Sequence, residues 1–277
     1  MLEAYDNNIE KIILRLHQTA PKIHCLTNPV TMQDVANLLL AAGGSAVMGQ
    51  DEQETAEITA FCQGTLLNTG VPNTAKINAC IQAGQTANSL GHPVVLDPVG
   101  VGASEFRKEQ LRKLLKKVRP SAIRCNQEEA VVLCSLLSDT DAPQTHGGVE
   151  SALKLSENDV CQIALHTAQL FQCTVLITGM QDVISDGNQT ILLDGGDTRI
   201  RRITGSGCML SALCALFLST GVSAFEAVST AGQLWRNIAF EAGKRTDASS
   251  AGIGSFHTFL FDILDEKLYK HKLEKDK

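Results

Sequence analysis

Short apolar segments alternate with amphipathic helical segments along most of this 277-residue chain, and that alternation narrows the possible folds more than any other feature. Ile9, Ile12, Ile13 and Leu16 recur at helical spacing, so the chain begins with an amphipathic helix. Residues 22–26 then read as a strand running into the turn Thr27-Asn28-Pro29. A helix is predicted over 31–42, with Thr31 as its N-cap and Gly43-Gly44 as its stop. Strands follow at 45–48, 65–68, 93–96, 122–124 and 174–177. Helices are predicted between them at 54–63, 72–90, 105–118, 126–137 and 157–171, with Pro72 as a first helical residue. Residues 182–185 and 189–193, joined through Asp186-Gly187, form a hairpin signal, and helices over 209–219, 224–242 and 255–270 close the chain. Strands apolar enough for burial on both faces, separated by helices, specify a mostly parallel sheet covered on each side, a three-layer α/β/α arrangement. No repeat, low-complexity block or linker interrupts the pattern, so a single domain over 1–277 is expected. The polar stretch 139–151 reads as a loop.

One turn in this frame carries chemistry. In Thr204-Gly205-Ser206-Gly207-Cys208-Met209, two glycines bracket a serine directly before the apolar run 209–218. A glycine turn opening a helix leaves the first N–H groups unpaired at the positive end of the helix dipole, which suits an anion such as phosphate. Gly205, Ser206 and Gly207 are therefore candidates for a phosphate cradle. Cys208 is the candidate base or nucleophile beside it, or a buried structural thiol like the other eight; at a helix N-terminus its thiol is expected to ionise more readily than a free cysteine.

Composition removes several classes of function. Aromatic residues make up only 4% of the chain and the net charge is −6, which argues against a nucleic-acid partner. The lysines near the C-terminus alternate with acidic residues and read as a solvated helix end. No apolar run approaches the roughly 20 residues needed to cross a bilayer. Nine scattered cysteines without a C-x-x-C pair fit a reducing, cytoplasmic setting and neither a disulfide framework nor a zinc site.

The remaining polar candidates fall where strands end, the side of an open α/β sheet at which ligands bind. Asn28 follows the first strand and Met48 the second; Met48 and Val30 are apolar enough to line a substrate pocket or to serve as core. Asp97, after Val94-Val95-Leu96, is a candidate metal carboxylate or a turn residue. Asn126 and Glu129 stand three apart at a helix start, where they suit a water-mediated Mg²⁺ site or a first-turn carboxylate favoured by the dipole. Arg124 is placed to reach phosphate oxygens, and Thr178-Gly179 ends a later strand.

Taken in order, His24-Cys25-Leu26-Thr27-Asn28, Val47-Met48, Val94 to Gly100, Arg124 to Glu129, Leu176 to Gly179, Val183 to Gly187 and Thr204 to Met209 resemble the hydroxyethylthiazole kinases, whose fold is ribokinase-like. The cysteine after Gly-Ser-Gly is the pointed feature, since most ribokinase-like kinases carry aspartate there. The resemblance implies transfer of phosphate from ATP to 4-methyl-5-(2-hydroxyethyl)thiazole in thiamine salvage, with Mg²⁺, in a homotrimer with sites at subunit contacts. It assigns Asn28, Met48 and Gly205 to the thiazole, Arg124, Thr178 and Asn126 to ATP, Asp97 and Glu129 to metal and phosphate, and Gly205 to Cys208 to the anion hole. Cys125 stands where the family usually has glycine, and 139–151 shows little likeness. Competing expectations are a hydroxymethylpyrimidine or pyridoxal kinase, an ATP-dependent nicotinamide-hydrate dehydratase, or a nucleotide sensor without turnover; the enzymes among them would favour aspartate at position 208.

Overall fold

The computed structural model describes residues 2–136 and 155–268. Eight strands form one sheet: β1 (Lys22–Leu26), β2 (Ser45–Val47), β3 (Gly64–Asn68), β4 (Val94–Asp97), β5 (Ala122–Asn126), β6 (Thr174–Thr178), β7 (Asp182–Ser185) and β8 (Thr190–Leu193). Their spatial order is β2-β1-β3-β4-β5-β6-β7-β8. The pairs from β2 through β6 are parallel, while β6–β7 and β7–β8 are antiparallel. The predicted hairpin therefore forms the tail of an otherwise parallel sheet.

Helices α1 (Leu2–Thr19), α2 (Met32–Ala41), α3 (Thr55–Phe61), α4 (Thr74–Leu90), α5 (Glu105–Leu115), α6 (Gln127–Leu136), α7 (Glu157–Phe171), α8 (Ser206–Leu218), α9 (Ala224–Ala248) and α10 (Ile253–Leu268) accompany the sheet. One face is covered by α1, α2, α8, α9 and α10, whose apolar residues join Ile23, Cys25, Leu66, Val95 and Leu176 in one core. The other is covered by α4 to α7 over Leu26, Leu67, Leu96, Ile123 and Ile177. Side chains alternate across each strand, so neighbours in sequence enter opposite cores, and the strands are apolar on both faces as a covered parallel sheet requires. Helix α8 is the central element of its layer: every residue from Cys208 to Leu218 is buried, and a helix apolar all round is a core helix.

Local chemistry corrects several expected boundaries. Pro72 does not begin α4; Asn73 caps it, its side chain accepting from Lys76 N at 2.8 Å, and Gly91 ends it in the left-handed region. Thr31 precedes α2 without a capping bond, because its hydroxyl faces Thr27 Oγ1 at 3.3 Å. Helix α8 starts at Ser206, earlier than the apolar pattern indicated, and α9 runs on to Ala248. Val30 is 65% exposed and so belongs to neither core. The polar stretch 139–151 lies outside the described residues, as does the end of the charged C-terminal segment.

Candidate active site

The C-terminal ends of β1, β3, β4 and β6 carry Asn28, Asn68, Asp97 and Thr178, and Arg124, expected to end its strand, instead lies mid-way along β5 and reaches the start of α8 from there. Gly205 is the N-cap of that helix, with φ +81°, a left-handed conformation that glycine adopts without steric cost. Its backbone presses on the turn after Asn28: a Cβ there would lie 3.0 Å from Thr31 Cβ. Thr31 N in turn donates to Asn28 O at 3.1 Å, so the glycine turn and the Asn28 turn pack as one unit. The first α-helical hydrogen bond of α8 runs from Met209 N to Gly205 O at 2.8 Å. The amides of Gly207 and Cys208 stand ahead of that ladder, as an anion-binding helix start requires.

Arg124 lies across this helix start. A Cβ at Gly207 would collide with the guanidinium, 2.6 Å from its Cζ, so only glycine lets the arginine approach. The Arg124 Nη2 donates to Thr178 Oγ1 at 2.5 Å, and Nη1 stands 3.9 Å from Asp97 Oδ1. Desolvation opposes its charge, but Asp97 and Glu129 more than offset this and hold the guanidinium firmly protonated. A cation at a helix N-terminus is electrostatically unfavourable, and those two carboxylates are the compensation.

Asp97 is completely buried. Its Oδ2 accepts from Asn68 Nδ2 at 2.8 Å, whereas Oδ1 has no hydrogen-bond partner. Burial raises its pKa above the ordinary aspartate value, partly countered by Arg124 and by the polar side chains of Ser211, Asn68 and Cys208 around it. Glu129 is also buried and shifted up to about 6 by burial and by Asp97. Its two oxygens accept from Asn126 N at 2.8 Å and Gly100 N at 2.7 Å, while Asn126 Oδ1 accepts from Glu129 N at 2.8 Å. Asn126 and Glu129 thus form a reciprocal cap on α6 that also fastens the Pro98–Gly100 turn to it.

Cys208 departs from expectation. Burial and the Asp97 charge push its thiol up to about 12, despite the helix N-terminus. Desolvation of a thiolate outweighs the partial positive charge of the helix end, so the side chain is a neutral thiol at physiological pH. Its sulfur accepts from Asn68 Nδ2 at 3.1 Å, with Asn28 Nδ2 at 3.8 Å. Asn68 was not singled out from the sequence, yet it joins the group: its Oδ1 also accepts from Asn28 Nδ2 at 3.1 Å. The available signal was a polar residue ending a buried strand, the same signal that marks Asp97. Met48 stands one strand further out, after edge strand β2, and is outside this hydrogen-bonded group.

Comparison with known proteins decides the family. A sequence model described as the hydroxyethylthiazole kinase family matches residues 13–270. The chain belongs to the hydroxyethylthiazole kinase family. It is 33% identical over 279 residues to the hydroxyethylthiazole kinase of Clostridium botulinum (strain Eklund 17B / Type B), covering 98% of this chain and 97% of that one. The solved structure of a hydroxyethylthiazole kinase protein from Pyrococcus horikoshii OT3 superposes with a TM-score of 0.80 at 29% identity, covering 93% of this chain and 92% of that one. A ribokinase-like superfamily protein from Enterococcus faecalis V583 superposes at 0.60 with 10% identity over 89% and 87% of the two chains, a likeness of fold alone. The ribokinase-like three-layer architecture expected of the hydroxyethylthiazole kinases is therefore the one this chain adopts.

Proposed function

We propose that this chain transfers the γ-phosphoryl group of ATP to the hydroxyl of 4-methyl-5-(2-hydroxyethyl)thiazole, releasing ADP and supplying the thiazole phosphate for thiamine. The observation that carries this reading is the meeting of Arg124, Asp97, Asn68 and Cys208 at the amide-bearing start of α8. Phosphoryl transfer passes through a loose transition state, so alignment and charge stabilisation do most of the work. The amides of Gly207 and Cys208 supply fixed donors for the migrating group, and a preorganised donor of this kind is worth about 3 kcal/mol. Arg124, released from its place over Gly207, and the Thr178 hydroxyl beside it are suited to the nucleotide phosphates, with Asn126 next to them on β5.

The acceptor alcohol is assigned to Asn28, Gly205 and Met48, with its hydroxyl facing Cys208. A thiol shifted to about 12 is a poor general base. Its role in this reading is to accept a hydrogen bond from the hydroxyl and orient it, which a loose transition state tolerates because little proton transfer is needed early.

Among the described residues no cluster of three or more His, Cys, Asp or Glu side chains makes a protein-only metal cage. Mg²⁺ does not need one, since it is commonly held by one or two carboxylates together with substrate phosphates. The buried Asp97 Oδ1, which accepts no hydrogen bond, fits that requirement, with the Glu129 carboxylate electrostatically coupled to it; a bound Mg²⁺ would neutralise phosphate charge. A homotrimer with sites at subunit contacts and a cytoplasmic location belong to the same reading. No helix among the described residues is long and apolar enough to cross a membrane.

A coupled assay of ADP formation tests the function, with the thiazole alcohol, hydroxymethylpyrimidine and pyridoxal compared at equal concentration. The thiazole alcohol is expected to give the highest kcat/KM. Preference for either other substrate, or nucleotide binding without ADP release, overturns the assignment. Light scattering after size exclusion tests the trimer.

A further inference from the structure

Lys76 occupies a place that ordinary helix and core chemistry disfavours. It lies in the first turn of α4, where the helix dipole repels a cation, and it is only 5% exposed. Burial pulls its ammonium below the ordinary lysine pKa and Arg107 adds to the fall, while Cys80, Cys208 and Asp97 act in the other direction. The ammonium donates to Gly70 O at 2.6 Å. The amide at the other end of the same residue, Gly70 N, donates to Asn68 Oδ1 at 3.0 Å. Gly70 is thus held at both ends, by Lys76 on its carbonyl and by Asn68 on its amide.

The next residue, Val71, has φ +50° with its side chain 51% exposed. A β-branched residue in the left-handed region is strained, and such strain persists only where neighbours over-determine the backbone. The Lys76 bond to the preceding carbonyl is the constraint adjacent to it. Three unfavourable features therefore converge on the turn after β3: a buried cation, a cation at a helix start and a strained valine. The same turn carries Asn68, whose side chain joins Asn28, Asp97 and Cys208.

We propose that Lys76 is a positioning residue for the acceptor alcohol, holding the Gly70 carbonyl so that the Asn68 amide stays aligned on Cys208 and Asp97. This rests on the kinase reading above and deepens it, because neither the family resemblance nor the polar strand ends point to a lysine on α4.

The test compares the full-length enzyme with Lys76→Met and Lys76→Arg. Methionine keeps the length and apolar stem but removes the charge and the donor; arginine keeps both. Lys76→Met is expected to raise the KM for the thiazole alcohol about tenfold or more, the scale of one charge-assisted hydrogen bond. Its KM for ATP should stay within about twofold on the same scale. Its melting temperature should fall only modestly, because relief of the buried charge offsets part of the cost of leaving the Gly70 carbonyl unpaired. Lys76→Arg should recover part of the alcohol affinity. Calorimetric titration of the alcohol without ATP should show the same weakening, a readout independent of turnover. The inference is overturned if Lys76→Met binds the alcohol as wild type does, or if its melting temperature drops steeply while both KM values rise together. Wild-type protein that releases no ADP with the thiazole alcohol would instead sink the kinase reading; an active wild type with an indistinguishable Lys76→Met would sink this inference alone.

Discussion

Asn68 Nδ2 stands 3.1 Å from the sulfur of Cys208 and directs the same amide group to Asp97 Oδ2 at 2.8 Å. One side chain therefore sets the spacing between the thiol and the buried carboxylate. Both acceptors are out of water, so losing the donor leaves them uncompensated at a cost of about 1–3 kcal/mol. Asn68→Ala is expected to lower kcat by about tenfold to a hundredfold and to reduce the melting temperature. Asn68→Asp should be no better, because it removes the same amide donor from both acceptors. Steady-state kinetics and thermal melts check this; an alanine variant with wild-type kcat and stability would show that the amide is idle.

The neutral thiol of Cys208 leads to a prediction about pH and reactivity. With its pKa raised to about 12, the thiol stays protonated at pH 8. Iodoacetamide should therefore modify Cys208 in the folded enzyme far more slowly than a free cysteine at pH 8, as peptide mapping would reveal. The kcat profile between pH 7 and 9 should contain no rising limb from this group. Cys208→Asp should retain turnover at least about tenfold above Cys208→Ala, since a carboxylate can accept the same hydroxyl proton. Rapid alkylation at pH 8, or aspartate no better than alanine, would remove the assigned role.

Gly207 is confined by Arg124 rather than by its own backbone angles. Gly207→Ala puts a methyl group into the guanidinium and also into the approach to the unpaired amides. Its kcat/KM for ATP is expected to fall by about a hundredfold, the loss associated with one preorganised oxyanion donor. Gly205→Ala acts differently, because alanine is strained at φ +81° and would meet Thr31. That variant should lose about 1–2 kcal/mol of stability, measurable by chemical unfolding. A Gly207→Ala enzyme with ordinary ATP kinetics would show that this helix start does not carry the phosphoryl group.

Much of this arrangement is legible before any coordinates, for a physical reason. A sheet covered on both faces needs apolar strands, and helices that cover it need one apolar stripe, so both periods are written into the sequence. Strand ends are legible too: Asn28, Asp97 and Thr178 lie together because consecutive parallel strands end on the same side, and the long side chain of Arg124 joins them from within β5. What resists reading is whatever depends on two distant segments at once. The shift of Cys208 needs both the depth of α8 and the nearness of Asp97, and local helix-end chemistry alone predicts the opposite sign. Asn126 and Glu129 have the spacing of a ligand pair and of a capping pair, and only the bonds to backbone amides show the capping. The placement of Arg124 over Gly207 joins residues far apart in the chain and leaves no local pattern.

His24 offers a test of how the edge of the sheet is fastened. Its Nε2 lies 2.9 Å from Gly49 O, and because a carbonyl only accepts, Nε2 carries the proton. Nδ1 lies 2.8 Å from Thr59 Oγ1, whose one proton is shared between this ring nitrogen and Thr55 O, also 2.8 Å away. A second bond, from Gln50 Nε2 to Thr27 O at 2.6 Å, joins the same two segments, so the stretch after β2 that contains Met48 is fixed to β1 at two points. Burial lowers the His24 pKa below the ordinary value of 6.5, with the Gly49 bond only partly opposing it. The unfolded chain therefore takes up this proton first as pH falls. The contribution of His24 to stability is full above pH 6.5, declines as pH drops from there towards the lowered folded-state pKa, and levels off beneath it. His24→Asn cannot titrate, so its unfolding free energy should be lower at pH 7.5 yet fall less steeply between pH 6.5 and 5 than that of the wild type. Urea unfolding across that range measures the difference; parallel losses in the two proteins would mean that this imidazole is not the group whose protonation loosens the β1–β2 edge.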